Sequence, residues 1–162
     1  MPTESANTPG RKPPTASEKA MRLLARRAYS ERELTRKLYS YECYSPAQIR
    51  EALAYCRKNH FLDDELLAHD YARSLSDRNC GQFKIRLQLR KRGLGEKLVE
   101  SAIEQNAEAE PEAARRACEY KLKLLVRETD LFKKRQKLYR YLASRGFSPD
   151  VIRECLENLS LS

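Results

Sequence analysis

Reactive side chains are sparse in this chain and badly spaced for catalysis. The two histidines, His60 and His69, stand nine residues apart, so they do not fall one helical turn from each other as a pair of metal ligands on one helix would. His60 lies at the end of an expected helix, where an imidazolium interacts with the helix dipole. Asp63-Asp64-Glu65 has the residue types for magnesium binding or acid–base work. It follows Phe61-Leu62 and precedes Leu66-Leu67, however, which is the place of an aspartate cap at a helix start. No glycine-rich phosphate loop of the P-loop or dinucleotide type is present. Cysteines stand at 43, 56, 80, 118 and 155, an odd set with no C-x-x-C spacing, which predicts reduced, packed thiols rather than a zinc site or a disulfide framework. The expectation is a protein that is not an enzyme and holds no metal and no cofactor.

What remains is cationic chemistry. Lysine and arginine number 32 against 23 acids, a net charge of +9, and such a bias suits a polyanion or an acidic protein surface. The candidate contacts are Arg26, Arg27, Arg32, Arg36 and Lys37, then Lys84, Arg86, Arg90, Lys91 and Arg92, then Lys133, Lys134, Arg135, Lys137, Arg140 and Arg145. At about 100° per residue, Arg32 and Arg36 lie nearly opposite Leu34 and Leu38 and face away from the core, free to meet an anion. Guanidinium forks suit phosphate or carboxylate. Tyr39, Tyr41, Tyr139 and Tyr141 interleave with these charges and are candidates for stacking on unpaired bases, whereas Tyr29, Tyr44 and Tyr71 are assigned to packing.

The elements that position these side chains are set by an internal repeat. Leu34, Leu38, Tyr44, Ile49 and Leu53 recur as Ile85, Leu89, Leu94, Val99 and Ile103, and again as Leu138, Leu142, Phe147, Ile152 and Leu156, with one extra residue between Leu38 and Tyr44. A period of roughly fifty residues at helical spacing predicts an all-α protein of three tandem three-helix repeats, each burying an apolar face that it could not bury alone. The expected helices cover 18–28, 31–42 and 46–58, then 64–77, 82–92 and 96–106, then 111–127, 131–144 and 149–158. Ser30 with Glu33 has the capping-box pattern, Ser45-Pro46 and Ser148-Pro149 are paired start signals with Gly95-Glu96 at the equivalent place, and Gly93 and Gly146 stand where a left-handed residue ends a helix.

Residues 1–17, with four prolines among Ser, Thr and Asn, are expected to form a disordered tail, and the repeats to occupy 18–62, 63–109 and 110–162. These three carry +5, −1 and +4. The basic positions do not align between copies, since Arg36 matches Arg140 but corresponds to Leu87: the skeleton repeats and the charges only cluster. No apolar run approaches the roughly 18 to 20 residues of a membrane span, and no signal peptide is visible, so a cytoplasmic, membrane-free protein is expected.

Several motifs resemble those of a known family. The run Ala20-x-x-Leu23-Leu24-Ala25-x-Arg27-x-Tyr29-Ser30-x-x-Glu33-Leu34-x-x-Lys37-Leu38, then Phe61-Leu62-Asp63-Asp64 and Tyr71-Ala72-Arg73-Ser74, is similar to the bacterial regulatory RecX family. Gly81 with Lys84-Ile85, Leu89 and Gly93-Leu94, and Arg145-Gly146-Phe147-Ser148, resemble its second and third repeats. Glu42-Cys43 and His60 stand where the family often has glycine. The resemblance spans about 18–160 and implies an elongated, curved, monomeric array that lodges in the groove of a RecA recombinase filament on single- or double-stranded DNA. It further implies that the protein limits filament growth, ATPase, strand exchange and coprotease activity in DNA repair and the SOS response. The alternative left by the residues alone is a stand-alone DNA-binding helical-repeat protein without a recombinase partner.

Overall fold

The computed structural model describes residues 12–158. Among them the regular elements are α1 (Ala16–Leu24), α2 (Glu31–Tyr39), α3 (Pro46–Lys58), α4 (Asp64–Asp77), α5 (Gln82–Lys91), α6 (Glu96–Gln105), a one-turn 3-10 segment at Ala107–Ala109, α7 (Glu110–Leu124), α8 (Leu131–Ser144) and α9 (Pro149–Glu157), with no strand. The protein is an all-α helical repeat.

Helix starts follow from short-range chemistry. Thr15, Ser30 and Ser45 each accept the third helical amide while Glu18, Glu33 and Gln48 return to the cap amide, so two orphan donors are satisfied at once. Asp63, Asp130 and Ser148 cap α4, α8 and α9. Gly93 and Gly146 take φ of 77° and 88°, the left-handed conformation that a side chain disfavours, and turn the chain out of α5 and α8. Glu42 and His60 take φ of 51° and 57° without being glycine.

Several boundaries differ from expectation for local reasons. Helix α1 begins at Ala16 because Thr15 caps it, so the expected tail already has structure over 12–17: Ala16 is buried, and the Tyr44 hydroxyl donates to the Pro14 carbonyl at 2.9 Å. Residues 1–11 of that tail lie outside the described residues. Helix α1 ends at Leu24 rather than 28, since the Arg26 and Arg27 amides both fold back onto the Leu23 carbonyl. Helix α2 stops at Tyr39 rather than 42, and the extra residue of the first copy is taken up in the turn that carries left-handed Glu42.

Each repeat of the apolar skeleton forms one core. Leu34, Leu38, Ile49 and Leu53 pack with Ala20 and Leu23; Ile85, Leu89, Leu94, Val99 and Ile103 pack with Ala68 and Ala72; Leu138, Leu142, Phe147, Ile152 and Leu156 pack with Ala113, Ala114 and Ala117. Tyr44 alone of the skeleton is half-buried, its ring on the first core and its hydroxyl on Pro14. Small alanines of α1, α4 and α7 face these cores, and the skeleton lies on the other two helices of each unit and in the turn between them, at Tyr44, Leu94 and Phe147.

Candidate interaction surface

The candidate cations divide into those held inside the molecule and those open to a partner. Arg92 is held. One guanidinium nitrogen meets Glu33 Oε2 at 2.8 Å and the Ala28 carbonyl at 2.7 Å, Nε meets Glu33 Oε1 at 3.2 Å, and the group lies 4.8 Å from the centroid of the Tyr71 ring. Its side chain is only 14% exposed. Burial alone would raise the Glu33 carboxyl, but Arg92, the Ser30 amide and Arg27 together hold it below the ordinary glutamate range.

Arg145 makes the same connection one unit later. It donates to the carbonyls of Asn79, at 3.0 Å, and Arg78. Arg92 and Arg145 are each the residue that ends the middle helix of a unit, and Ala28 and Asn79 each stand two positions before the cap of the middle helix in the preceding unit. An acid completes each junction. Asp64, first residue of α4, accepts the first helical amide of α2 from Glu31 at 2.8 Å, and Glu110, first residue of α7, accepts the first helical amide of α5 from Gln82 at 2.9 Å. Burial pushes both carboxyls above their ordinary values, against the lowering effect of those amides.

The expectation that charges only cluster is therefore corrected. One acid and one arginine recur at equivalent positions because every unit must clasp its neighbour. The acid of the cluster at 63–65 that does the work is Asp64, while Asp63 caps α4 as anticipated. A signal for the clasp is visible in the chain as Arg92-Gly93 and Arg145-Gly146, in both of which arginine precedes the left-handed glycine.

The second junction is the tighter. Gly81 has no side chain to cap α5, and its amide and that of Phe83 donate instead to the carbonyls of Arg145 and Gly146, at 2.9 and 3.0 Å. A methyl group on Gly81 would stand 2.4 Å from the Gly146 carbonyl, so the two backbones touch. At the first junction Ser30 intervenes and donates its hydroxyl to the Arg92 carbonyl, and the Arg32 stem lies across Gly93.

Other candidate cations are paired within a unit. Arg86 holds Glu100 through two hydrogen bonds of 2.9 Å, Arg90 holds Glu96, Arg27 holds Glu33 at 3.4 Å with its guanidinium 3.6 Å from the Tyr29 ring centroid, Lys133 meets Asp130 at 3.6 Å, and Lys137 meets Glu128. Arg57, which the sequence reading passed over, pairs with Glu31 at 2.7 Å beside the first junction.

Arg26, Arg32, Arg36, Lys37, Lys84, Lys91, Lys134, Arg135 and Arg140 have no carboxylate partner among the described residues. On α2, Arg32 and Arg36 are exposed one turn apart, near exposed Tyr39. On α8, Arg135 and Arg140 line a shallow cavity of about 450 Å³ with Phe132, Gln136, Tyr139 and Leu156. The tyrosines divide likewise: Tyr39 and Tyr139 are exposed, whereas Tyr41 and Tyr141 are half-buried against their cores, with Lys19 and Lys121 over the rings. No group of three or more His, Cys, Asp or Glu among the described residues could hold a metal ion, and no helix among them is long and apolar enough to cross a membrane.

Comparison with known proteins gives a consistent set of matches. Residues 16–56 match the family model described as RecX, first three-helix domain, and residues 108–156 match RecX, third three-helix domain. The chain is 32% identical over 148 residues to a regulatory protein RecX of Legionella pneumophila (strain Corby), covering 91% of this chain and 96% of that one. It is 33% identical over 144 residues to the protein of the same description from Chlorobaculum tepidum, covering 88% and 87%. The crystal structure of RecX from Lactobacillus salivarius superposes with a TM-score of 0.80 over 91% of this chain and 96% of that one at 23% identity, a likeness of fold.

Proposed function

The chain belongs to the RecX family of regulatory proteins, and from that premise we propose that it binds the RecA recombinase filament on DNA and restrains its ATPase, strand exchange and coprotease activities without catalysing a step of its own. The observation that carries this reading is the pair of open cationic surfaces on α2 and α8, one in each basic outer unit, where unpaired cations cluster with an exposed tyrosine; Arg26, Lys84 and Lys91, also without a carboxylate partner among the described residues, stand on other segments. Arg32, Arg36 and Lys37 with Tyr39, and Lys134, Arg135 and Arg140 with Tyr139, offer guanidinium and ammonium groups to phosphates or to acidic side chains. Arg92 and Arg145 serve by fixing the spacing between the units at 18–62, 63–109 and 110–162, which sets the distance between the two surfaces.

The test is a variant carrying Arg32→Glu, Arg36→Glu, Lys134→Glu and Arg140→Glu. It should keep the wild-type helical content and lose inhibition of the RecA ATPase on single-stranded DNA; undiminished inhibition by the folded variant would overturn the proposal. The second reading, a DNA-binding protein with no recombinase partner, draws on the exposed Tyr39 and Tyr139. It predicts tight, steeply salt-dependent binding to bare DNA together with no effect on the recombinase.

A further inference from the structure

The middle helices of the three units meet end to end. Ser30 and Arg32, at the start of α2, lie on the Arg92 carbonyl and on Gly93 at the end of α5, and the amides of Gly81 and Phe83, at the start of α5, donate to Arg145 and Gly146 at the end of α8. Aligned by the apolar skeleton, Arg32 and Arg36 of α2 correspond to Phe83 and Leu87 of α5 and to Gln136 and Arg140 of α8. The row therefore reads cationic, apolar, cationic. Phe83 and Leu87 stand one turn apart and are 56% and 51% exposed, whereas Ile85 and Leu89 of the same helix are buried in the second core. The next turn beyond Leu87 carries Arg90, held by Glu96, and Lys91.

We propose that Phe83 and Leu87 form the apolar anchor of a protein-docking surface, seated on an apolar patch of the partner protein while Arg32 and Arg36 on one side and Arg140 on the other meet acidic groups around that patch. An apolar centre within a charged rim is the anatomy of a contact between proteins. A nucleic acid is the poorer occupant. Leu87 offers no ring on which a base could stack, and Arg86 and Arg90 are already bound to Glu100 and Glu96, whose carboxylates would repel a phosphate backbone. Lys84 and Lys91 are the cations of α5 without a carboxylate partner among the described residues. A second copy of this chain is also the poorer occupant, since two copies laid along the row, parallel or antiparallel, would set cations against cations at both ends. Two half-exposed side chains also fall far short of the roughly 800 Å² per partner that a stable contact buries, so the pair acts only together with the cations beside it. The inference rests on the function proposed above, which supplies a protein filament as the partner, and it adds a contact between the two cationic surfaces.

The experiment compares wild-type protein with two variants. Phe83→Gln/Leu87→Gln makes the pair polar with a good helix former, the residue type that unit three has at the place of Phe83; Phe83→Leu/Leu87→Met keeps the face apolar and removes the ring. Affinity of the first variant for the RecA filament on single-stranded DNA should fall at least tenfold, as expected when an apolar anchor is lost, with its thermal midpoint and its affinity for bare DNA unaltered. The second variant should bind the filament as wild type does. A filament affinity of the first variant within twofold of wild type overturns the inference and leaves the function intact. A loss shared by both variants, or one equally large on bare DNA, overturns it in favour of a ring that stacks on a base. A first variant that melts below wild type overturns it in favour of a contact within this chain. Concentration-dependent self-association of wild type, abolished in the first variant, overturns it in favour of a second copy. Wild-type protein that does not bind the filament at all overturns the function and this inference together.

Discussion

One guanidinium, that of Arg92, joins a carboxylate, a carbonyl and an aromatic ring across the first junction, so its removal leaves Glu33 with only the Ser30 amide and the more distant Arg27. Arg92→Ala should cost about 1–3 kcal/mol in urea unfolding, the order expected for losing hydrogen bonds to a charged group. Glu33 also fixes a pH dependence. Because its carboxyl lies below the ordinary value, its contribution is fully present above that value and is lost as pH falls through the folded one. Asp64 and Glu110 are displaced upward and act in the opposite sense, their destabilisation fading as acid protonates them. Stability measured from about pH 6 to pH 3 should therefore fall less steeply in Glu33→Gln than in wild type. Left-handed Glu42 and His60 make a separate case. Replacing either with glycine removes a side-chain penalty of about 1–2 kcal/mol, partly offset by the freer unfolded chain, so each variant should melt higher by calorimetry.

At the scale of the element, most helix starts were legible in the sequence because caps act over three or four residues, whereas α1, α2 and α7 end three or four residues before the expected positions. Ser30 with Glu33, Ser45 with Gln48 and Asp63 all bond as their spacing implies. The role of Arg92 and Arg145 was not legible, since each finds its partners some sixty residues away, and on a helical wheel they resemble Arg32 and Arg36. Glycines show the same division between local and distant causes. Gly95 begins α6 with an extended backbone and open space where a side chain would go, whereas Gly81 begins α5 against the backbone of the next unit. Gly95→Ser should then be neutral or stabilising by a few tenths of a kcal/mol, by adding the cap that Ser45 and Ser148 supply elsewhere. Gly81→Ala should separate the second and third units, which a large fall in unfolding midpoint and faster exchange of the Gln82 and Phe83 amides would register.

For the whole molecule, the threefold apolar skeleton predicted three cores, and three cores form. What joins them is a recurring acid and arginine, Asp64 with Arg92 and Glu110 with Arg145, rather than the apolar skeleton. The junctions make the units unequal in what they need. Helix α2 has its own serine and glutamate cap, but α5 borrows acceptors from Arg145, Gly146 and Glu110. A chain ending after residue 106 should therefore keep the first core and lose hydrogen-exchange protection at Gly81, Gln82 and Phe83; protection equal to the full chain would show that α5 closes without the third unit. The borrowed cap also sets an order on synthesis. As the polypeptide leaves the ribosome, the first unit caps α2 with its own Ser30 and Glu33 and needs only Asp64 and Arg92 from the next, but the second waits with an unfinished helix until Gly146 has emerged, so the middle of this protein is completed almost last.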